Sequence, residues 1–331
     1  MIQITYYYTL FSYNHNVGYI NMKKLILLTI PALMLAACNQ KNNSVEGPLK
    51  IICPTGAPAF AFYNYSQNSN FETNAVPSNI VAMLSEASDK DVVVIDTVSG
   101  VKAINNGAPY KLAATITFGN FFIAGTGNDN DGMINEGDKI VLFGQNQTPD
   151  LLFHYLYGNY YDEGIEYVTN VQDAAKCLIS GKNAVTGNDI DYVFVAQPVL
   201  YNAMQKNDKV FVFANVQQAY RERSGGKSLI QASVFVKNSV SEKQGHNFLE
   251  SLSKDIRAVL DKPSLLTETL GKYSQEEITA LYGVAPSVAE AVIEDQNGLG
   301  LDFCYAAPNK ENIDGFLSLF SVPQTNEEIY Y

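Results

Sequence analysis

The sequence predicts an α/β fold of two similar lobes, each a mainly parallel sheet flanked by helices, with a helical C-terminal region. Three observations predict it. Short apolar runs alternate with helical patterns from Leu49 onward, the signature of strands joined by crossover helices. The order strand, polar turn, helix and then Asp-led strand occurs twice, through Lys50–Cys53 and Asp91–Asp96, then Lys139–Phe143 and Asp191–Ala196. Beyond one further strand the pattern turns helical and stays so.

Taken in order, Lys50–Cys53 reads as a strand, then the turn Pro54–Pro58 and an apolar helical segment through Tyr65. Pro77–Glu86 reads as a helix with proline in its first turn, where a missing N–H costs nothing. Asp91–Asp96 is a buried strand, Thr97–Gly100 opens a short helix, and Tyr110–Thr117 is a strand. The second unit runs Lys139–Phe143 (strand), Gly144–Pro149 (turn), Asp150–Tyr157 (helix), Ile165–Thr169 (strand) and Val171–Ser180 (helix). Asp191–Ala196 is then a strand entering Gln197-Pro198 and another helix. Ser228–Lys237 returns as a strand, followed by helices at Ser241–Leu260, Ser264–Leu270, Ser274–Tyr282, Pro286–Glu294 and Asn309–Phe320. Chain crossings are expected near 118–128 and 224–229, giving lobe one residues 49–127 and 225–331 and lobe two residues 128–224.

The N-terminal part is read separately. Met22-Lys23-Lys24, an uncharged run from Leu25 to Met34 and the small residues before Cys38 form a secretory signal pattern, too short for a membrane span of about 20 residues. Ending on Cys38, it resembles the bacterial lipoprotein signal. That resemblance implies cleavage before Cys38, acylation of its thiol and a lipid-anchored, extracytoplasmic protein. Residues 1–21 hold no charged side chain at neutral pH and read as a mis-called upstream extension. Residues 22–37 are then the signal, and the polar residues 38–48 a flexible tether.

The chain of 331 residues carries a net charge of −12, and removing residues 1–37 deletes Lys23 and Lys24 and no acid, giving −14. A chain this acidic lacks the basic surface that nucleic acid or an anionic membrane demands, so lipid alone would attach it to a membrane. Cys53, Cys177 and Cys304 form no CxxC spacing and read as buried thiols, one disulfide among them being the alternative. With only His154 and His246 beyond the signal, no metal site and no cofactor are expected.

Gly137-Asp138-Lys139-Ile140-Val141, the helix opening at Thr148-Pro149, and the block Ala174–Lys182 followed by Ile190-Asp191-Tyr192-Val193 carry a resemblance. The chain resembles a type II solute-binding protein of an ABC importer, nearest the nitrate/taurine branch that also includes binders of sulfonates and pyrimidine precursors. It departs at Gln197, where many members have glutamate before the proline. The resemblance spans 49–320 and implies a two-lobed type II periplasmic-binding-protein fold. It also implies a small solute held between the lobes, a monomer, and a permease with its ATPase as partner.

In open α/β sheets ligands bind beyond the carboxyl ends of strands. Four such ends carry polar turns that feed helix starts: Thr55-Gly56-Ala57, Thr97 with Ser99, Gln147-Thr148, and Gln197. Phe60 is a candidate wall, and Gln231 lies where the returning strand could reach the cleft. Free N–H groups at helix starts suit carboxylate or sulfonate. No arginine adjoins these turns, however, so a neutral or weakly polar ligand is equally consistent with the sequence.

Two attractive motifs fail. Gly226-Lys227-Ser228 has Arg221 where a phosphate loop needs glycine, and Asp129–Gly132 has Gly127 where a calcium loop needs an acid. The alternative function is a secreted enzyme on the same fold, such as a pyrimidine-precursor synthase-like protein, with His154 as its only candidate. A lipoprotein without a ligand, an adhesin or assembly factor, would have a filled or shallow cleft.

Overall fold

The computed structural model describes residues 47–331 except 67, 128–132, 159–161 and 297. The expected extension, the signal, Cys38, all but the last two tether residues and the turn Asp129–Gly132 lie outside the described residues.

The first lobe is built on a six-stranded sheet: β1 (Ile51–Pro54), β2 (Phe71–Asn74), β3 (Val92–Asp96), β4 (Tyr110–Thr117), β10 (Ala232–Lys237) and β11 (Leu301–Tyr305). The second holds β5 (Phe121–Thr126), β6 (Ile140–Phe143), β7 (Ile165–Val168), β8 (Tyr192–Ala196) and β9 (Val210–Asn215). Their spatial orders are β11-β4-β10-β3-β1-β2 and β7-β6-β8-β5-β9. Pairing is parallel around β1 and β6. By contrast β5 and β10 run antiparallel to both neighbours, so each sheet is mixed. The reason is topological. These are the strands by which the chain enters each lobe from the other, so they begin at the edge where the parallel strands end.

Because β5 pairs with β8 and β9, the first passage between sheets is residues 118–120, ahead of the expected boundary at 127. The return passage lies between Ser224 and Gln231. The sequence pattern does not announce β2, β5, β9, β11 or the helix at 216–223. In β5 the glycine at 125 breaks the apolar run, and it is needed there because a Cβ would sit 2.4 Å from the Phe211 ring on β9.

Helices flank both sheets: α1 (Ala57–Phe60), α2 (Pro77–Val81), α3 (Thr97–Asn105), α4 (Thr148–Tyr157), α5 (Val171–Ser180), α6 (Val199–Lys206) and α7 (Val216–Arg223). The C-terminal region adds α8 (Glu242–Asp261), α9 (Leu265–Leu270), α10 (Gln275–Tyr282), α11 (Pro286–Glu294) and α12 (Lys310–Ser318). Their starts are encoded locally. Asp96, Asn170, Asn215, Ser241 and Ser274 each accept the third helical N–H, and Ser274 with Glu277 completes a capping box. Helix α3 lies so close on β10 that a Cβ at Gly100 would fall 2.0 Å from the Phe235 ring.

Cys53 and Cys177 are buried in different lobes and Cys304 is half-buried on β11; all three are free thiols. No described helix is long and apolar enough to cross a membrane.

Candidate functional site

A cavity of about 110 Å³ lies between the two sheets. Its walls are the carboxyl ends of β1, β3, β6 and β8 and the first residues of β5 and β10. This is the switch-point edge of both sheets, where side chains leave the hydrogen-bonded ladder and become free to meet a ligand.

Seven expected residues line it: Thr55, Gly56, Ala57, Gln147, Thr148, Gln197 and Gln231. Three do not, and each is a correction with a local cause. Phe60 is fully buried and stacks on Tyr282 at 4.9 Å between ring centroids, so it is core of the first lobe. Thr97 is fully buried, with its hydroxyl 3.3 Å from the Gln231 carbonyl and 2.7 Å from the Ser233 hydroxyl. Ser99 sits half a helical turn further on, in an outer groove with Val81 and Lys102. Successive helical residues diverge by about 100°, so only the capping position of α3 faces the cleft.

That capping residue is Asp96, which the sequence reading treats only as a strand end. Its Oδ1 accepts from the Ser99 N–H at 2.9 Å and from the Thr148 hydroxyl of the other lobe at 2.9 Å. Asn120, Phe121 and Phe143 are further lining residues that the sequence did not single out. The two phenylalanine rings meet edge to face at 6.1 Å and form an apolar wall. An Asp-ended strand before a helix was a usable signal for Asp96. None existed for Phe143, which reads as the last residue of a buried strand.

The lobes are tied across the cleft at several points. Besides Thr148 on Asp96, the Gln172 side-chain amide donates to the Thr55 hydroxyl at 2.8 Å. The two passages are clamped together. Gln231 Nε2 donates to Asn120 Oδ1 at 2.7 Å, the Asn120 N–H donates to Gln231 Oε1 at 3.2 Å, and Asn120 Nδ2 donates to the Gln197 carbonyl at 2.9 Å. The Gln231 N–H in turn donates to the Thr117 carbonyl at 3.0 Å. Asn120 and Gln231 are both buried, so these amides are matched where water cannot compete.

Each helix start facing the cavity offers at least one free N–H group fewer than a bare helix end would. At α3 the Ser99 N–H is taken by Asp96, and at α6 the Tyr201 N–H is taken by Gln197 Oε1 at 3.0 Å. Helices α1 and α4 carry Pro58 and Pro149 in their first turns, which removes a donor from each.

His154 does not line the cavity. Its Nδ1 is 2.8 Å from the Asp150 carbonyl and 3.1 Å from the Asp150 carboxylate, and its Nε2 is 3.2 Å from Asp162. Burial, then the hydrogen bond donated to Asp150, raises the neighbouring Tyr167 phenol above its ordinary pKa. Burial likewise pushes the Cys53 thiol well up, away from the reactive thiolate. Among the described residues no group of His, Cys, Asp and Glu could hold a metal ion.

No protein-family model and no curated protein matches the sequence. Solved structures do match in fold. An ABC transporter protein from Parabacteroides distasonis aligns with TM-score 0.65 at 18% identity, over 86% of this chain and 99% of that one. The alkanesulfonate-binding protein of Xanthomonas axonopodis pv. citri, bound to MOPS, aligns with TM-score 0.54 at 11% identity, over 84% and 94%. The chain has the fold of ABC-transporter substrate-binding proteins. A ligand-binding component of an ABC-type import system from Staphylococcus aureus, with zinc bound, aligns with TM-score 0.61 at 9% identity, over 85% and 95%. That substrate-binding fold accounts for the architecture here: two sheets, two passages, and a cavity where the strand ends face one another.

Proposed function

We propose that this chain is the solute-binding component of an ABC importer, tethered outside the cytoplasm by lipid on Cys38. It would act as a monomer that holds a small organic solute between lobes 49–119 and 232–331 on one side and 121–223 on the other. It would then deliver that solute to a permease and its ATPase. The observation that carries this reading is the cavity at the facing strand ends, bridged by Thr148 on Asp96 and Gln172 on Thr55. A site built half from each lobe forms only when the lobes approach. A solute that touches both halves therefore stabilises the closed arrangement by its differential affinity for it. The residues proposed to touch solute are Thr55, Gly56, Ala57, Asp96, Asn120, Phe121, Phe143, Gln147, Thr148, Gln197 and Gln231.

The test is a thermal-shift screen of residues 39–331 against small organic solutes of different charge. A cognate solute at 100 times its dissociation constant adds about 2.7 kcal/mol of stability, a rise of several degrees in melting temperature. A chain that melts at the same temperature with every compound would contradict a receptor role. The anchor has its own check. Cys38→Ser is expected to move the protein from the membrane pellet to the soluble fraction and abolish metabolic labelling by palmitate, whereas unchanged membrane retention would refute lipidation at Cys38.

A further inference from the structure

Resting on the solute-binding reading, we infer that the solute carries a cationic nitrogen that pairs with Asp96, and is neither a sulfonate nor a carboxylate. Asp96 is the sole ionisable side chain among the described residues lining the cavity; the others are apolar, glycine, threonine, asparagine or glutamine. Its Oδ1 is committed to Thr148 and Ser99, while its Oδ2 accepts no hydrogen bond from a described residue. Asp96 is half-buried, and its remaining carboxylate oxygen is an acceptor that pairs more strongly with a donor carrying positive charge than with a neutral one.

The same surroundings disfavour an anion in three independent ways. An anionic group would share a small cavity with the Asp96 charge, where like charges repel in a medium far less screening than water. Among the described residues no lysine, arginine or histidine lines the cavity to receive it. The helix starts that could have substituted each present one donor fewer, with Ser99 and Tyr201 N–H groups already bonded and prolines at 58 and 149. Meanwhile Phe121 and Phe143 present aromatic surface suited to the body of an organic cation. Gln197, whose Oε1 is held by the Tyr201 N–H, keeps its amide N–H₂ for a neutral acceptor on the solute.

The experiment uses matched sets in which one skeleton carries an ammonium, an alcohol, a carboxylate or a sulfonate: benzyl, phenethyl, and straight chains from two to six carbons. Binding to the chain from residue 39 is read by thermal shift and titration calorimetry, for wild type and Asp96→Asn. Asparagine is as good a helix cap as aspartate, so the variant keeps the Ser99 contact, and its ligand-free melting temperature confirms folding. At least one amine is expected to bind, its alcohol more weakly, and Asp96→Asn to lower the amine's affinity tenfold or more and the alcohol's by a much smaller factor. Binding of a carboxylate or sulfonate member with no amine would overturn the cationic assignment and leave the receptor reading standing. Equal amine affinity in wild type and Asp96→Asn would also overturn it. Binding of no member of any charge class counts against both readings.

Discussion

Gly300→Ala is expected to lower stability by about 2–5 kcal/mol. The estimate adds about 1–2 kcal/mol for a left-handed backbone at a residue with a side chain to about 1–3 kcal/mol for overpacking. Gly300 has φ +62°, and a Cβ there would fall 2.3 Å from the Gly119 carbonyl oxygen and 2.8 Å from its carbonyl carbon. Both obstacles are backbone, so no rotamer change relieves them. The obstructed segment is the first passage between lobes, and the Gly300 carbonyl accepts the Phe118 N–H at 2.8 Å. The variant must therefore displace the passage itself, and solute affinity should fall along with the melting temperature. Gly107→Ala is the control: φ is +94°, but no atom lies within 4 Å of the added Cβ, so only the backbone cost applies. Equal destabilisation of the two variants in denaturant titrations would refute the steric argument.

Asn120→Ala is expected to cost about 2–6 kcal/mol and to couple strongly with changes at Gln231. Deleting the side chain leaves Gln231 Nε2 and the Gln197 carbonyl without their partners at a buried site, and each such group costs about 1–3 kcal/mol. Because Asn120 and Gln231 stand in the two separate passages, the variant also loosens the junction between the lobes. If the closed form becomes a fraction of the population, apparent solute affinity drops by that fraction. A double-mutant cycle with Gln231→Ala should show a coupling of about 0.5–3 kcal/mol. Strict additivity would mean that the two amides act independently and that the clamp contributes nothing as a pair.

What the sequence made legible follows the reach of each signal. Strands β1, β3, β4, β6 and β8 are dense apolar runs, so their positions were readable to within two residues. The cap-and-turn chemistry after them was readable too, which is why Thr55, Gly56, Ala57, Gln147, Thr148 and Gln197, named from turns alone, all line the cavity. Strands β2 and β9 failed for a different reason. Phe71-Glu72-Thr73-Asn74 has little apolar content, and Val210–Asn215 is an edge strand with partly exposed side chains, so neither shows a buried period.

Direction of side chains was the harder problem. Asp96, Thr97 and Ser99 are neighbours in one helix start, yet one faces the cleft, one the sheet interior and one an outer groove. The residue types do not choose among these. The choice is made by the position of β10 behind Thr97 and of Thr148 across from Asp96.

By itself, then, the sequence determined what is local: the net negative charge, the repeated strand–turn–helix order and the helix caps. These depend on residues within a few positions of one another, where hydrophobic period and capping chemistry act. Only the tertiary structure decided that β5 and β10 enter opposite sheets antiparallel, that Asn120 and Gln231 meet across 111 positions, and that one carboxylate stands in a cavity without a basic partner. Those facts arise from packing between segments far apart in the chain, and no local pattern encodes which distant groups a side chain will face.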